Sequence, residues 1–408
     1  MLGDFKNLSS FGWTFMSRDA IGRAEAQLDG HSEGVRDEIG FLLIHQRYAD
    51  RFFPGTSVLH TRLRYVLFVP WMYEALQRET KVRSVQRSVE RAEVRLAGRL
   101  LDAGEDGVIG ARRFPEKSNQ PPSLIYWTAL GAWGLLGPTR DGEHLPTRSR
   151  IHATLSSATR TTLDDDGVPL NPSYLPFDKL MPDAPDDFVG DGELTFVLLL
   201  DEKKYLRKRL SDVRSVHHPG EPSLLAKLAL LNAVPDVEHC WDSEILKYAG
   251  RDRDALLRAG QAAALAVIGR GVYAALVEEI RECNDSIQTS RLHRDKLPLI
   301  LAEHAEEASK LNLLGLQMDG IDLSEPFSAV LTETQDWIHR KNGPVRDLLD
   351  CYRRAECRRK GQRARLSQSL KGRELRRVWE NEKHPGAKPL HYRWHNVHRL
   401  LNDLNGAE

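Results

Sequence analysis

Cysteine is scarce. The 408 residues hold four, Cys240, Cys283, Cys351 and Cys357, too few and too scattered for a disulfide scaffold, and none forms a Cys-x-x-Cys pair. That usage suits a reducing compartment, and a cytoplasmic protein is expected. Net charge is also missing, because 58 basic residues balance 58 acidic ones; attraction to a polyanion must come from local asymmetry and not from the mean field. No stretch approaches the roughly 18 to 20 apolar residues of a membrane span, and the opening MLGDFKNLSSFGW lacks a basic region followed by an apolar one. No membrane association is expected. The chain has no Gly-x-x-x-x-Gly-Lys-Ser/Thr loop, no Gly-x-Ser-x-Gly elbow and no His-Glu-x-x-His pair, so ATPase, serine hydrolase and zincin chemistry lack their main support.

What is present is helical periodicity in a chain that is 41% hydrophobic and 28% charged, long enough for two or three domains. The expected fold is mainly α, built of multi-helix domains with little sheet. Its organisation reads as an amino-terminal helical domain over 1–137, an acidic, Pro/Gly-rich loop or linker over 138–192, a second helical domain over 193–350 and a basic helical segment over 351–408. Ser17 can cap a first helix, and a second begins near Ser32 or Gly34. After the Pro54-Gly55 break, Thr56 or Ser57 can cap VLHTRLRYVLFVPWMYEAL. The charged helix from Thr80 to Leu101, the basic loop through GVIGARRF and the Ser123-capped LIYWTALGAWGLL follow in the order of a helix-turn-helix or winged-helix unit, and equally of a plain helical pair.

Several patterns imitate active sites. GRGVYA at Gly269–Ala274 fits a dinucleotide fingerprint, yet its flanks keep helical spacing, so close helix packing at small residues is the better account. FVLLLDEKK suggests a metal-dependent nuclease, but Asp201 and Glu202 fit the acid-preferring first turn of a helix. His391, His395 and His398 have a metal-like spacing, with Arg393 and Arg399 among them to repel a dication. No metal and no cofactor is expected.

The densest chemistry lies between Asp37 and Tyr73. Glu38 or Asp37, with Asp50, can activate water or stabilise an oxocarbenium-like cation, which is what cleavage of an N-glycosidic bond demands. Tyr48, Tyr65, Trp71 and Tyr73 offer faces for an extruded base, with Thr56, Ser57, Arg62 and Arg64 beside them to hold a backbone. Arg112, Arg113, Lys117, Tyr126 and Trp127 add a second such cluster. The last segment is strongly basic: Arg358, Arg359, Arg363, Arg365, Arg376 and Arg377 form an electrostatic footprint for phosphate, and Arg393 and Trp394 pair a cation with an aromatic face. The plain alternative is acids that cap or bridge helices and aromatics that fill a core.

The runs DEIG, ADRFFPGTS and TRLRYVLFVPW, with PSLIYWTALGAWGLL in the middle and LHYRW near the end, resemble a family of prokaryotic proteins of about this length that lacks a settled function and is met in anti-phage defence neighbourhoods. The resemblance implies phage DNA as the partner and, within that setting, a metal-independent DNA glycosylase that removes modified bases. Two rivals stand beside it: a non-catalytic DNA-binding subunit or sensor of a defence complex, and a metal-dependent nuclease through Asp201 and Glu202.

Overall fold

The computed structural model describes residues 37–78, 84–138, 144–158, 175–190, 192–341, 343–379 and 387–406. Among the described residues it is mainly helical, with 61% helix, 1% strand and no sheet, as the periodicity indicates. The longer helices are α1 (Phe41–Phe52), α2 (Tyr65–Arg78), α3 (Val85–Asp102), α4 (Arg148–Ala158), α5 (Leu200–Ser211), α6 (Arg253–Cys283), α7 (Leu292–Ser309), α8 (Glu325–Arg340), α9 (Leu349–Lys360), α10 (Leu370–Arg377) and α11 (Trp394–Asn405). The expected helix after Ser17 lies outside the described residues.

Helix α6 is the axis. Its run of Ala, Leu and Val is buried on nearly every side, and α1, α7 and α8 pack around it. By length and composition it can cross a membrane, with a mean hydropathy of 1.4 over a window that is 83% buried inside the protein. A search for an unbroken apolar stretch passes over it because Arg258 and Arg270 interrupt the run. Close approach explains the Gly-x-Gly pair: a Cβ at Gly269 would stand 2.4 Å from Phe41 Cζ, and one at Gly271 3.1 Å from Ile300 Cδ1. The fingerprint is therefore a helix-packing seam. Replacing Gly269 with leucine is expected to destabilise the fold by about 1–3 kcal/mol through overpacking, measured as a lower urea midpoint at unchanged slope.

Three local expectations are corrected. Helix α2 begins at Tyr65, not at Val58, because the amides of Thr61, Arg62 and Leu63 donate to the side chains of Tyr126 and Asp403 and not to a preceding helical turn. Within the segment expected to be a loop or linker, Arg148–Ala158 is helical; Ile151 and Leu155, one turn apart, are buried, and α4 packs on α3. After α3 comes a run of turns through GVIGARRF, followed only by the short helices Pro122–Ile125 and Trp127–Ala132. No paired strand lies behind them among the described residues, so the winged form is absent there. In ELTFVLLL the residues Leu194, Phe196 and Leu198 alternate inward without any sheet.

Candidate functional site

The Phe53–Tyr65 block is a tight corner wired to distant parts of the chain. Gly55 has a φ of +80°, and a Cβ there would lie 2.6 Å from Ala132 Cβ, so both backbone and space require glycine. Thr56 Oγ1 donates to Phe53 O at 2.7 Å, and Trp133 Nε1 donates to Pro54 O at 2.9 Å. The amides of Thr61 and Arg62 donate to Tyr126 Oη, which donates in turn to Arg62 O. Arg62 is held by Asp403 and Glu105. Arg64 is buried against Glu202, with Nε and Nη2 each on one carboxylate oxygen. These two arginines, expected to hold a nucleic-acid backbone, are internal fasteners instead. The same pairing occupies Glu202, while Asp201 is exposed and pairs with Lys204.

The three candidate carboxylates separate. Asp37 accepts from the Gly40 amide and pairs with Arg359, and Glu38 pairs with Lys360 and Arg365. Both stand just ahead of α1, joined to the basic segment. Asp50 stands near the other end of α1 (Phe41–Phe52), about 13–14 Å along its axis from Phe41, where it pairs with Arg393 Nη1 at 2.6 Å. Its side chain is 60% exposed.

Most of the expected stacking residues are interior. Tyr48, Tyr65, Trp71, Tyr73, Tyr126 and Trp394 are buried, and Trp127 is partly buried with its Nε1 on Pro146 O. Tyr48 Oη donates to Asp319, which Arg51 and Arg258 also hold; Trp71 Nε1 donates to Pro182 O. Aromatic spacing on helices signals core here. In the basic segment Arg376 is buried on Asp285, and Arg365 is partly buried. Arg358, Arg359, Arg363 and Arg377 are exposed, as are Arg112, Arg113 and Lys117.

Asp50, Thr56, Ser57, Lys117 and Arg393 do meet, around a cavity of about 1070 Å³. Its rim includes much of the loop Ile109–Pro122, and Glu93, Arg148 and His152 line it from α3 and α4. Glu93 is 6% exposed, and its Oε1 accepts from the Ser123 amide at 3.0 Å. Burial raises its carboxyl above the ordinary carboxylate range, against the Ser123 hydrogen bonds and the Arg148 charge. Burial lowers His152, with Arg148 adding in the same sense; its Nε2 is 2.8 Å from Tyr73 Oη. Arg393 also donates to Thr56 O at 2.8 Å. Among the described residues no group of three or more His, Cys, Asp or Glu side chains is placed to hold a metal ion.

A family model matches residues 8–283, more than half of the chain. The chain belongs to this family, described as a family of unknown function (DUF6361). No match was found among the curated proteins or the solved structures. The match ends with α6, so in this DUF6361 chain it takes in the corner, Asp50 and most of the cavity lining, but not Arg393 or the basic segment.

Sequence reasoning missed Glu93, Phe114, Arg148 and His152. Glu93 carried a signal: Val85, Val89, Leu96 and Leu100 form the inward stripe of α3, and position 93 falls on it. Phe114 is the exposed aromatic of the rim loop, at 43%, set among polar residues in ARRFPEK.

Beside the cavity His60 is fully buried, stacked on Tyr126 at 4.2 Å between ring centres. Its Nε2 lies 3.3 Å from Ile125 O, and its Nδ1 has no partner. Burial pushes the imidazole down to about 3, despite the Ile125 carbonyl. A histidine depressed in this way gains its proton only on unfolding, so stability is complete above the unfolded value of about 6.5 and falls as pH drops toward 3. Wild-type protein is expected to lose about 1.5 kcal/mol from this group between pH 6.5 and 5, and His45, lowered mainly by its own burial, acts in the same sense. Urea midpoints across that range measure the slope, which His60→Gln should make shallower by one proton.

Proposed function

We propose that this protein binds phage DNA in the cytoplasm and hydrolyses the N-glycosidic bond of a modified base at the cavity bearing Asp50. The observation that carries the reading is the meeting of an accessible carboxylate, Asp50, with Lys117 and Arg393 on the wall of one hollow, beside a loop whose Arg112 and Arg113 are exposed. Exposed Arg358, Arg363 and Arg377 supply further cations for phosphate. The anti-phage setting rests on the resemblance of the ADRFFPGTS and TRLRYVLFVPW runs. In the reaction the C1′–N bond breaks and a water oxygen bonds to C1′. The water's proton passes to Asp50, the departing base takes a proton from solvent, and Asp50 then returns its own to solvent, so that water is the sole reactant consumed. Incubation with DNA from modified phages should yield abasic sites in the presence of a chelator. DNA left unaltered would overturn the reading.

A second reading is favoured by the ion pairing of Asp37, Glu38 and Asp50 with arginines and a lysine. In it the protein is a non-catalytic DNA-binding subunit or sensor of a defence complex. Salt-dependent retardation of DNA, with no abasic sites and with a co-purifying partner, would favour that outcome.

A further inference from the structure

Among the described residues three Lys and Arg side chains line the cavity, and each has a partner within the protein. Lys117 Nζ lies 3.2 Å from Glu90 Oε1, Arg393 holds Asp50 and Thr56 O, and Arg148 Nη1 donates to Ser123 Oγ at 2.9 Å. Four carboxylates, Asp50, Glu90, Glu93 and Glu116, stand against these three cations. The lining therefore carries more formal negative than positive charge, which opposes the entry of a phosphate. The interior is different from the rim. Val89, Ile109, Leu124 and Ile125 give it apolar walls, Phe114 presents part of a ring, and Glu93 lines it as a buried carboxyl whose Oε1 rests on the Ser123 amide.

We propose that the cavity takes a non-anionic nitrogen heterocycle of the nucleobase class, stacked on Phe114 and gripped by Glu93, and that it turns away phosphate. This rests on the function proposed above and specifies its substrate end: the base enters while the backbone stays on the exposed arginines outside. The ring face of Phe114 supplies stacking that tolerates any base, and a carboxyl hydrogen-bonds to ring nitrogens and exocyclic amines. A volume of about 1070 Å³ also holds a base that carries a bulky uncharged substituent.

The test is ligand-observed NMR and calorimetry on the full chain, with the four deoxynucleosides and their 5′-monophosphates as probes. At least one deoxynucleoside is expected to bind more tightly than its monophosphate. Phe114→Ala should weaken it about fivefold or more, the scale of one lost stacking partner. Glu93→Gln, which keeps the shape, should also weaken binding; its melting temperature separates that effect from misfolding. Tighter binding of the monophosphates, no deoxynucleoside binding, or unchanged binding in both variants would overturn the proposal. Nucleoside binding without abasic sites in phage DNA would sink the hydrolytic reading and leave this one standing. Abasic sites formed equally by wild type and both variants, with unchanged nucleoside binding, would do the reverse.

Discussion

Arg64→Ala is expected to cost about 3–5 kcal/mol of folding free energy, the scale for removing one partner of a buried ion pair. The two side chains are 3% and 2% exposed, so water cannot replace what is lost. Arg64 gives Nε and Nη2 to the two oxygens of Glu202 at 2.9 and 2.7 Å, and Nη1 to Thr195 O at 2.8 Å. Truncation strands the Glu202 carboxylate, whose remaining contact is the Leu199 amide at 3.1 Å. It also frees the extended Leu194–Leu198 segment from the start of α2. Chemical denaturation should show the loss as a lower midpoint. Replacing both partners, Arg64→Met with Glu202→Leu, should recover most of it, because an apolar pair of similar volume carries no desolvation cost. A loss under about 1 kcal/mol for Arg64→Ala would mean that the pair behaves as a solvated surface bridge.

Arg64 also shows where the sequence is legible and where it is not. The periodicity that places Leu, Val and Ala on stripes is a local property, and it identifies most of the longer helices, though not Arg148–Ala158, and the true nature of GRGVYA and DEKKYLRKRL. The destination of a charged side chain is not local. Arg64 and Glu202 are 138 positions apart, and nothing near either one announces the pairing. Arginine density in TRLRY therefore reads as a phosphate surface, and the aromatic spacing around it as a stacking platform. Their burial follows from tertiary packing against α5, α11 and the Pro182 segment. Glu93 is the opposite case, since an acid at an inward position of α3 conflicts with its own stripe. Such a conflict can be read from helical spacing alone, and a carboxyl that a helix carries inward must find hydrogen-bond donors or serve a site.

Asp50→Asn is expected to reduce the rate of abasic-site formation by about 10²–10⁴-fold, the range for removing a general base, while Asp37→Asn and Glu38→Gln leave that rate near wild type. The contrast follows from position. Asp37 and Glu38 lie ahead of α1, tied to Arg359, Lys360 and Arg365, and are not part of the cavity wall. Asp50 is part of that wall, and its pairing with Arg393 fixes the carboxylate while leaving it open to water. An asparagine keeps the shape and can still meet Arg393 through its carbonyl oxygen, so folding should be unaffected and the loss should appear in the chemical step. Single-turnover assays on modified phage DNA separate that step from binding. If Asp37→Asn or Glu38→Gln abolishes turnover with folding intact and Asp50→Asn does not, the reacting centre lies at the joint between α1 and the basic segment, and the cavity serves another purpose.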